Sequence, residues 1–363
     1  MFSPADYAFM SHALRLAEKG LYSTTPNPRV GCVITQNEQI VGSGWHDRAG
    51  QPHAEINALN VAGAAAREAT AYITLEPCSH YGRTPPCADA LIDAGIAKVV
   101  IAMQDPNPIV SGRGCALLEQ AGITVQIGLL QAEARALNVG FVTRMLHKRP
   151  WIRLKAAASL DGKTALNNGV SQWITGEAAR QDGHRWRARS CAIVTGIGTV
   201  KSDNPQLTVR HVETSRQPKR VVVDSHLAIP LDAKLLQGEE EVFIFTANDG
   251  NPEKKAELSK MNVRVIVLPN TEGAVDLGKM MAMLADFGMN ELLIEAGCGL
   301  NGALVRAGLA DEMIIFLAPH LLGDDAQGMI KLPELISLEQ KKTLRIQDLR
   351  MVGQDIRVIA KFL

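Results

Sequence analysis

Hydrophobic and polar residues alternate along the first 147 positions in a pattern that predicts short strands separated by helices. The strand-like runs are 29–35, 40–45, 71–76, 98–103 and 123–127, and the helical patterns are 3–20, 53–67, 87–94, 113–121 and 131–146. Four polar residues join the first two strands, which predicts a hairpin, whereas helices separate the later strands, which predicts parallel pairing.

The first helix has well-marked ends. Ser3 can cap it, Pro4 suits the first helical position, and Gly20 ends it. Its apolar positions recur at helical spacing and predict the buried face, which consists of Tyr7, Met10, Leu14 and Ala17.

The pattern breaks at residues 148–150, and a second series of strands and helices follows. The strand-like runs are 151–158, 191–196, 220–224, 242–246, 263–268, 291–295 and 311–318, with a helix at 177–190 and a final strand pair at 344–349 and 355–362. The final pair flanks Gly353 and predicts an antiparallel hairpin. The sequence therefore predicts two α/β domains, 1–147 and 148–363.

The composition excludes several classes of protein. The 363 residues carry 38 basic and 38 acidic side chains, and this balance argues against a nucleic-acid binder, which would have a basic excess. The six cysteines lack the spacing of a small disulfide framework, which favours a reducing compartment. Neither a signal-peptide pattern nor an apolar run of membrane-spanning length is present, so we expect a soluble cytoplasmic protein.

One stretch has the residue types of a catalytic metal site. His53, Cys78 and Cys87 offer one imidazole and two thiols, and catalytic zinc typically has three protein ligands with the fourth position left to water. Glu55 lies two residues after His53 and can face that position without being a ligand. This order is typical of zinc deaminases that act on nucleobases, except that eight residues, rather than two, separate the cysteines.

Other interpretations of these residues remain open at this point. Taken singly, His53 could be a core histidine, each cysteine a small buried hydrophobe, and Glu55 an ordinary first-turn carboxylate. A structural zinc fold would need a fourth protein ligand, for which His80 is the nearby candidate. A deaminase acting on nucleic acid would need a basic face or an aromatic platform, and aromatic residues make up only 4% of the chain.

A glycine-rich turn is the strongest local signal in the second half. Gly297, Gly299 and Gly302 follow a strand and precede a helix around residues 303–307. Such a turn can present backbone N–H groups to a phosphate, or it can simply be a tight connection. No acidic residue about twenty positions later clearly ends a second strand, as a Rossmann motif requires, so the Rossmann interpretation is not favoured.

Three further kinds of residue stand out in the second half. Lys155 lies in an apolar strand, where it either meets a partner or ligand or extends its amine from a strand edge to solvent. Arg187 and Arg210 could bind a phosphate through paired hydrogen bonds or could be solvated. Trp173 could belong to the core.

Several stretches match one known family over essentially the whole chain. They are 26–32, 53–55, 74–87, 104–108, 155–163, 171–175, and 198–200 with 203–205. In these stretches the chain resembles the bifunctional deaminase/reductase family of riboflavin biosynthesis, whose deaminase motif has the eight-residue separation between its cysteines.

The resemblance implies a cytidine-deaminase-like first domain and a dihydrofolate-reductase-like second domain. It also implies two consecutive reactions on one small molecule. The first is zinc-dependent hydrolytic deamination of 2,5-diamino-6-(ribosylamino)-pyrimidin-4-one 5′-phosphate, and the second is NADPH-dependent reduction of the ribosyl group to ribityl.

The resemblance also implies roles for particular residues. Zn²⁺ would be held by His53, Cys78 and Cys87, with Glu55 moving the proton and Asn27 binding substrate. The residues expected to contact NADPH are Ala157, Trp173, Thr199, Asp203, Ser225, Gly297, Cys298, Gly299, Leu300, Asn301, Gly302 and Ala303. The substrate of the reduction step would be contacted by Ser171, Arg187, Leu207, Arg210 and Glu295. Lys155 would be a catalytic residue beside Glu295. The expected assembly is a homo-oligomer with no nucleic-acid or membrane partner.

Overall fold

In a computed structural model the chain folds into two α/β units, Met1–Lys148 and Arg149–Leu363. The structure describes residues 1–79, 86–108, 110–248 and 250–363. No helix among these residues combines the length and the apolar character needed to cross a membrane.

The first unit is a five-stranded sheet with helices packed against it. Its elements are α1 (Pro4–Glu18), β1 (Gly31–Gln36), β2 (Gln39–Trp45), α2 (Ala54–Ala62), β3 (Thr70–Ile73), α3 (Cys87–Asp93), β4 (Lys98–Ile101), α4 (Arg113–Gln120), β5 (Thr124–Ile127), α5 (Gln131–Leu137) and α6 (Val139–His147). The strand order is β2-β1-β3-β4-β5. Strand β1 is antiparallel to both of its neighbours, and β3, β4 and β5 are parallel. The predicted hairpin and the predicted parallel pairing are therefore confirmed.

Helix α1 begins where the sequence predicts, but its buried face is rotated. The Ser3 hydroxyl accepts the Asp6 N–H and the Asp6 carboxylate accepts the Ser3 N–H, which forms a capping box. The buried positions centre on Ala13 and Leu16, whereas Tyr7 is 47% exposed, so its assignment to the core is wrong. The cause is close packing, because a Cβ on Gly31 of β1 would lie only 1.9 Å from the Ala13 carbonyl oxygen.

The helix predicted for 131–146 is two helices that meet at Asn138. This buried side chain accepts the Arg29 N–H and donates to the Arg29 carbonyl oxygen, each at 2.8 Å. Asn138 thereby fixes the chain just before β1, and periodicity alone could not reveal this contact, which spans more than a hundred residues.

The second unit is built on a nine-stranded sheet. Its elements are β6 (Trp151–Ser159), β7 (Lys163–Ala165), α7 (Glu177–Arg189), β8 (Ala192–Gly196), α8 (Ile197–Asp203), β9 (Lys219–Val223), β10 (Val242–Thr246), α9 (Pro252–Ser259), β11 (Val263–Val267), α10 (Leu277–Asp286), β12 (Glu291–Ile294), α11 (Cys298–Arg306), β13 (Glu312–Ala318), β14 (Gln327–Gly328), β15 (Leu344–Val352) and β16 (Asp355–Phe362). The order is β11-β10-β9-β8-β12-β6-β13-β16-β15, and β14 pairs with β7 separately. All pairs from β11 to β13 are parallel, and β16 and β15 add the predicted antiparallel hairpin.

The amino-terminal ends of the central strands contain a buried ionic cluster. Arg153 of β6 is paired with Glu291 of β12 and with Glu312 of β13, and Arg189 also contacts Glu291. Because each buried charge has an opposite partner, none is left uncompensated, and removing one partner would be strongly destabilising. It occupies the edge of the sheet opposite the carboxyl ends of these strands, where ligands of parallel sheets usually bind.

Candidate functional site

Three potential metal ligands converge in the first unit. The ligand atoms of His53, Cys78 and Cys87 all lie within 4.8 Å of one another. The His53 Nδ1 atom is 3.6 Å from the Cys78 sulfur and 3.3 Å from the Cys87 sulfur. One imidazole and two thiols at these separations fit a tetrahedral zinc ion with one position open. His80 lies outside the described residues, so the structure does not address it as a fourth ligand.

Close packing of α2 on β2 places His53 and Glu55. His53 is the N-cap of α2, and Glu55 lies in its first turn. A Cβ on Gly42 would be 2.3 Å from the Ala58 carbonyl oxygen, and one on Gly44 would be 2.7 Å from the Ala54 carbonyl oxygen. Only glycine at these two strand positions lets the helix backbone lie this close to the sheet.

A buried carboxylate organises the loop that carries Cys78. Glu76 accepts four backbone N–H groups, from Asp105, Gly112, Gly114 and Cys115, at 2.9 to 3.3 Å. These bonds join the segment after β3 to the segment after β4 and to the start of α4. The position of Cys78 is therefore fixed by backbone contacts two residues earlier in the chain.

The side chains of the three ligands hydrogen-bond one another, and these bonds shift their pKa values. Hydrogen bonds from Cys87 and then His53 lower the pKa of Cys78, and the bond to Cys78 raises the pKa of His53. The pKa of Cys87 is raised because its thiol hydrogen-bonds the Cys78 sulfur and because it is buried. Metal binding requires that both sulfurs be deprotonated.

Glu55 differs from an ordinary first-turn carboxylate because it is only 3% exposed. Burial raises its pKa to about 7, His53 lowers that pKa, and Cys78 raises it. A divalent ion in the cluster would add positive charge nearby and favour the ionised carboxylate. The side chain therefore lies where it can both accept and return a proton beside the three ligands.

Asn27 is held by a histidine that sequence reasoning missed. The Asn27 amide nitrogen is 3.1 Å from His46 Nε2, and His46 Nδ1 is 3.2 Å from the Pro52 carbonyl oxygen. Since a carbonyl can only accept, Nδ1 carries the proton and Nε2 accepts from the Asn27 amide. Burial lowers the pKa of His46, which favours this neutral form. The amide oxygen of Asn27 has no hydrogen-bond donor among the described residues and is available to a ligand.

The second unit contains a cavity of about 1080 Å³. It lies at the carboxyl ends of β6, β8 and β12, where ligands of parallel sheets bind. Most of the residues predicted for this half line it, namely Lys155, Ala157, Ser171, Trp173, Arg187, Thr199, Asp203, Leu207, Arg210, Glu295, Gly297, Cys298, Gly299, Leu300 and Asn301. Ser225, Gly302 and Ala303 are not part of its wall. A cavity of this size can hold both a dinucleotide and a small substrate.

The glycine-rich turn forms the start of α11, and this end of the helix lines the cavity. The helix starts at Cys298, five residues before the predicted start, so its first N–H groups come from the turn itself. No described heavy atom lies within 4 Å of the place where a Cβ on Gly299 would sit. A Cβ on Gly302, by contrast, would lie 2.0 Å from the Lys331 carbonyl oxygen. Gly299 thus faces cavity space that a diphosphate can occupy, whereas Gly302 is required for packing.

Lys155, Glu295 and Arg187 form the charged part of the cavity wall. Burial alone would raise the pKa of Glu295, but Arg187 and Lys155 lower it to about 2. Arg187 contacts both Glu295 oxygens, at 2.6 and 2.8 Å, and donates to the Thr208 carbonyl oxygen at 3.0 Å. Burial lowers the pKa of Lys155, and Glu295 partly offsets this. Lys155 therefore lies close enough to the Glu295 carboxylate for that charge to influence its amine.

Arg210 and Trp173 lie at the more exposed part of the wall. The Arg210 guanidinium donates to the neutral oxygens of Gln206 and Thr208, each at 3.0 Å, and its charge has no carboxylate partner among the ion pairs of the described residues. Trp173 is 71% exposed, so the alternative that placed it in the core is wrong. The Arg180 guanidinium lies 4.9 Å from the centre of the Trp173 ring. Both residues are available to a ligand.

Sequence reasoning missed several residues of the wall. Lys234 and Gln327 line the cavity but belong to no motif. Lys234 is brought there by its own N–H, which donates to the Asn204 side chain at 2.8 Å. Asn204 has a positive φ of 41° at the end of α8, and the Asp203-Asn204-Pro205 motif was the only sequence signal for this region.

Each half of the chain matches the model of a known protein family. Residues 3–103 match the cytidine and deoxycytidylate deaminase zinc-binding region, and residues 150–358 match the RibD C-terminal domain. The riboflavin biosynthesis protein RibD of Escherichia coli K12 is 47% identical over 97% of this chain and 98% of its own length. The chain belongs to the RibD family. The RibD protein of Bacillus amyloliquefaciens is 42% identical over 97% of this chain and 95% of its own.

Solved structures of RibD proteins agree with this fold along the whole chain. Acinetobacter baumannii RibD superposes with a TM-score of 0.92 at 44% identity, covering 99% of both chains. A diaminohydroxyphosphoribosylaminopyrimidine deaminase/5-amino-6-(5-phosphoribosylamino)uracil reductase from Thermotoga maritima has a TM-score of 0.87 at 31% identity, again over 99% of both chains. The predicted fold class, a deaminase-like domain followed by a reductase domain of the dihydrofolate-reductase type, is confirmed.

Proposed function

We propose that the chain catalyses two consecutive steps of riboflavin biosynthesis, with deamination in the first unit and reduction in the second. The substrate is 2,5-diamino-6-(ribosylamino)-pyrimidin-4-one 5′-phosphate. The observation that carries this proposal is the convergence of His53, Cys78 and Cys87 beside the buried Glu55, in a chain whose second unit contains a cavity of dinucleotide size.

In the first step water replaces the 2-amino group of the pyrimidine, and ammonia leaves. His53, Cys78 and Cys87 would hold a zinc ion, which would supply the Lewis acidity that makes a water molecule nucleophilic at neutral pH. Glu55 takes a proton from the water and delivers it to the departing amine. Asn27, oriented by His46, hydrogen-bonds the pyrimidine and holds its reacting carbon in place.

In the second step the C1′–O4′ bond of the ribosyl ring breaks, C1′ receives a hydride, and O4′ takes a proton from solvent to become a hydroxyl. NADPH supplies the hydride, and the protein binds and orients it. The first N–H groups of α11 and the open space at Gly299 receive its diphosphate. Lys155 and Glu295 face the reacting part of the substrate, and Arg210 and Arg187 bind the end that carries the phosphate.

The most direct assay separates the two steps. The purified chain is incubated with the diaminopyrimidinone ribosylamine phosphate, with and without NADPH, and ammonia and NADPH oxidation are followed separately. We expect ammonia in both mixtures and stoichiometric NADPH oxidation only after deamination. Cys87→Ser should abolish ammonia release and leave reduction of the deaminated compound intact. Ammonia release that depends on NADPH, or that survives in Cys87→Ser together with loss of zinc, would contradict the assignment.

We further propose that the chain forms a homo-oligomer through β15, the edge strand of the nine-stranded sheet. Leu344, Ile346, Leu349 and Met351 are 37% to 61% exposed and pair opposite alternate residues of β16, so they lie on one face. The pairing register shifts between Ile346 and Asp348. As a result, Leu349 and Met351 lie on the same face of the strand as Leu344 and Ile346. A nine-residue edge strand with such a row has unpaired backbone N–H and C=O groups that can bond to a strand of another chain. A second copy of the chain is the occupant we propose, because two β15 strands can pair antiparallel about a twofold axis.

Lysine substitutions in this row test the assembly. Ile346→Lys combined with Leu349→Lys should convert the oligomer to monomers at micromolar concentration, because like charges would lie near one another across the paired strands. Sedimentation equilibrium measures the mass, and Val61→Lys, at an exposed apolar position of α2, is the matched control. A wild-type chain that sediments as a monomer, or a double variant that stays associated, would refute this interface.

The cytoplasm is the compartment we propose for these reactions. All six cysteines are free thiols, and two of them are proposed zinc ligands that oxidation would disable. A reducing compartment that contains NADPH suits both halves of the chain.

A further inference from the structure

His184 is a buried polar residue that the mechanism does not use. It lies on α7, one turn before Arg187, and is 7% exposed. It is not part of the cavity wall, although Arg187, Arg210 and Glu295 are. A histidine in this position, directly behind the charged part of the cavity, requires an explanation.

The ring of His184 accepts a backbone hydrogen bond from a residue of the cavity wall. Its Nδ1 atom is 3.0 Å from the backbone nitrogen of Arg210, which can only donate. Nδ1 must therefore be unprotonated. Burial, together with Arg187, Arg210 and His211, lowers the pKa of His184 to about 4, and Glu295 acts in the opposite direction. The ring is thus a stable acceptor at neutral pH.

The segment held by His184 has a backbone that needs support. Leu207 and His211 have positive φ angles of 54° and 62°, a conformation that costs non-glycine residues free energy. Between them Thr208 accepts from Arg187 at 3.0 Å, and the Val209 N–H donates to the Gln217 side chain at 2.7 Å. At Arg210 itself, the bond to His184 links the backbone of this segment to α7. This bond joins α7, which carries Arg187, to Arg210.

We propose that His184 is a positioning residue for substrate binding in the reduction step. By accepting the Arg210 N–H it fixes the separation between the Arg210 and Arg187 side chains, so that both meet the substrate phosphate without rearrangement. This inference rests on the proposed function, in which Arg210 binds that phosphate. His184 touches neither the substrate nor the cofactor and acts through Arg210.

A residue that only positions the phosphate-binding arginine has a distinctive kinetic effect. Its loss leaves the Arg210 N–H without its acceptor and lets the segment 207–211 move, which weakens substrate binding. Lys155 and Glu295 are not hydrogen-bonded to His184, so the side chains proposed for the chemical step should stay in place when His184 is replaced. KM for the phosphorylated substrate should rise while kcat is retained.

The test compares three variants of the full chain. Asparagine places its Oδ1 as many bonds from the backbone as Nδ1 of histidine, so His184→Asn should bind substrate as the wild type does. Leucine cannot accept a hydrogen bond, and glutamine places its acceptor one bond too far. His184→Leu and His184→Gln should each raise KM for the deaminated phosphorylated substrate about ten-fold or more, with kcat and the Kd of NADPH unchanged. With the dephosphorylated substrate the three variants and the wild type should have equal kcat/KM.

Each other outcome overturns the proposal. An unchanged KM in His184→Gln and His184→Leu would show that the bond does not matter for binding. Equal losses in His184→Asn would show that only the shape of the ring matters, and a loss confined to kcat would place His184 in the chemistry. If His184→Leu does not fold, the glutamine and asparagine pair decides the question. Failure of the proposed function would instead appear as wild-type protein that does not oxidise NADPH with this substrate.

Discussion

Replacing Glu55 by glutamine is expected to reduce the rate of ammonia release by a factor of about 10² to 10⁴ while zinc stays bound. Glutamine has nearly the same shape but cannot take a proton from water or deliver one to the amine. Its carbonyl and amide still fill the buried position, and none of the three ligands is altered. Zinc content by atomic absorption and ammonia release under single-turnover conditions measure the two quantities.

The control for this substitution is Glu133→Gln. Glu133 also lies in the first turn of a helix, α5, but its side chain is exposed and remote in sequence from the ligands. A general effect of losing a first-turn carboxylate on helix stability, about 0.3 to 1 kcal/mol at an exposed position, would also appear in Glu133→Gln. Deamination should fall only in Glu55→Gln. An unchanged rate in Glu55→Gln would refute the proton-transfer role, and simultaneous loss of zinc would make Glu55 part of the metal site.

Substituting valine at Gly299 is expected to weaken NADPH binding by a factor of about 10 to 100, because inserting extra methyl groups into an occupied site costs about 1 to 3 kcal/mol. The valine side chain would project into the open space at the start of α11, where the diphosphate is proposed to bind. Fluorescence titration with NADPH gives the Kd, and ammonia release should be unaffected.

Gly278→Val is the matched control for Gly299→Val. Gly278 is the second residue of α10, as Gly299 is of α11, and it is exposed and outside the cavity wall. Both substitutions have the same effect on helix propensity, so a difference in NADPH affinity reports only the cavity. Equal affinities in the two variants would show that the cofactor does not lie on this turn.

The metal cluster could be predicted from sequence because its chemistry is carried by residue types in a fixed order. His53, Cys78 and Cys87 lie at a helix cap, in the segment just after a strand, and at a helix start, and the structure brings their ligand atoms together. The contacts that hold this arrangement could not be predicted in the same way. Glu76 accepts backbone N–H groups that are distant in sequence, and His46 bonds a backbone carbonyl oxygen, and backbone groups leave no residue pattern.

The errors in the predicted elements also have physical causes. Tyr7 matched the helical period, but the closest packing of α1 occurs at Ala13, because Gly31 admits the helix backbone there. Asn138 interrupts a helical pattern because its side chain bonds to Arg29. In both cases a tertiary contact overrode the local pattern, and neither contact could be inferred from spacing within one element.

In the second unit the resemblance supplied what spacing could not. Local pattern left the glycine-rich turn open between a phosphate site and a tight connection, and in the structure its glycines differ in their surroundings. Gly299 faces the cavity, whereas Gly302 is pressed against Lys331. Lys234 and His184 belong to no motif, and they were found only once the fold had brought them to the cavity or directly behind it.

X-ray absorption at the zinc edge of the purified protein tests the account most directly, because both the open position and the role of Glu55 depend on the coordination of the ion. We predict two sulfur neighbours at about 2.3 Å and two lighter neighbours at about 2.0 to 2.1 Å, with scattering from a single imidazole. A second imidazole, a third sulfur, or protein without zinc would contradict the claim that three side chains hold the metal and leave one position for water.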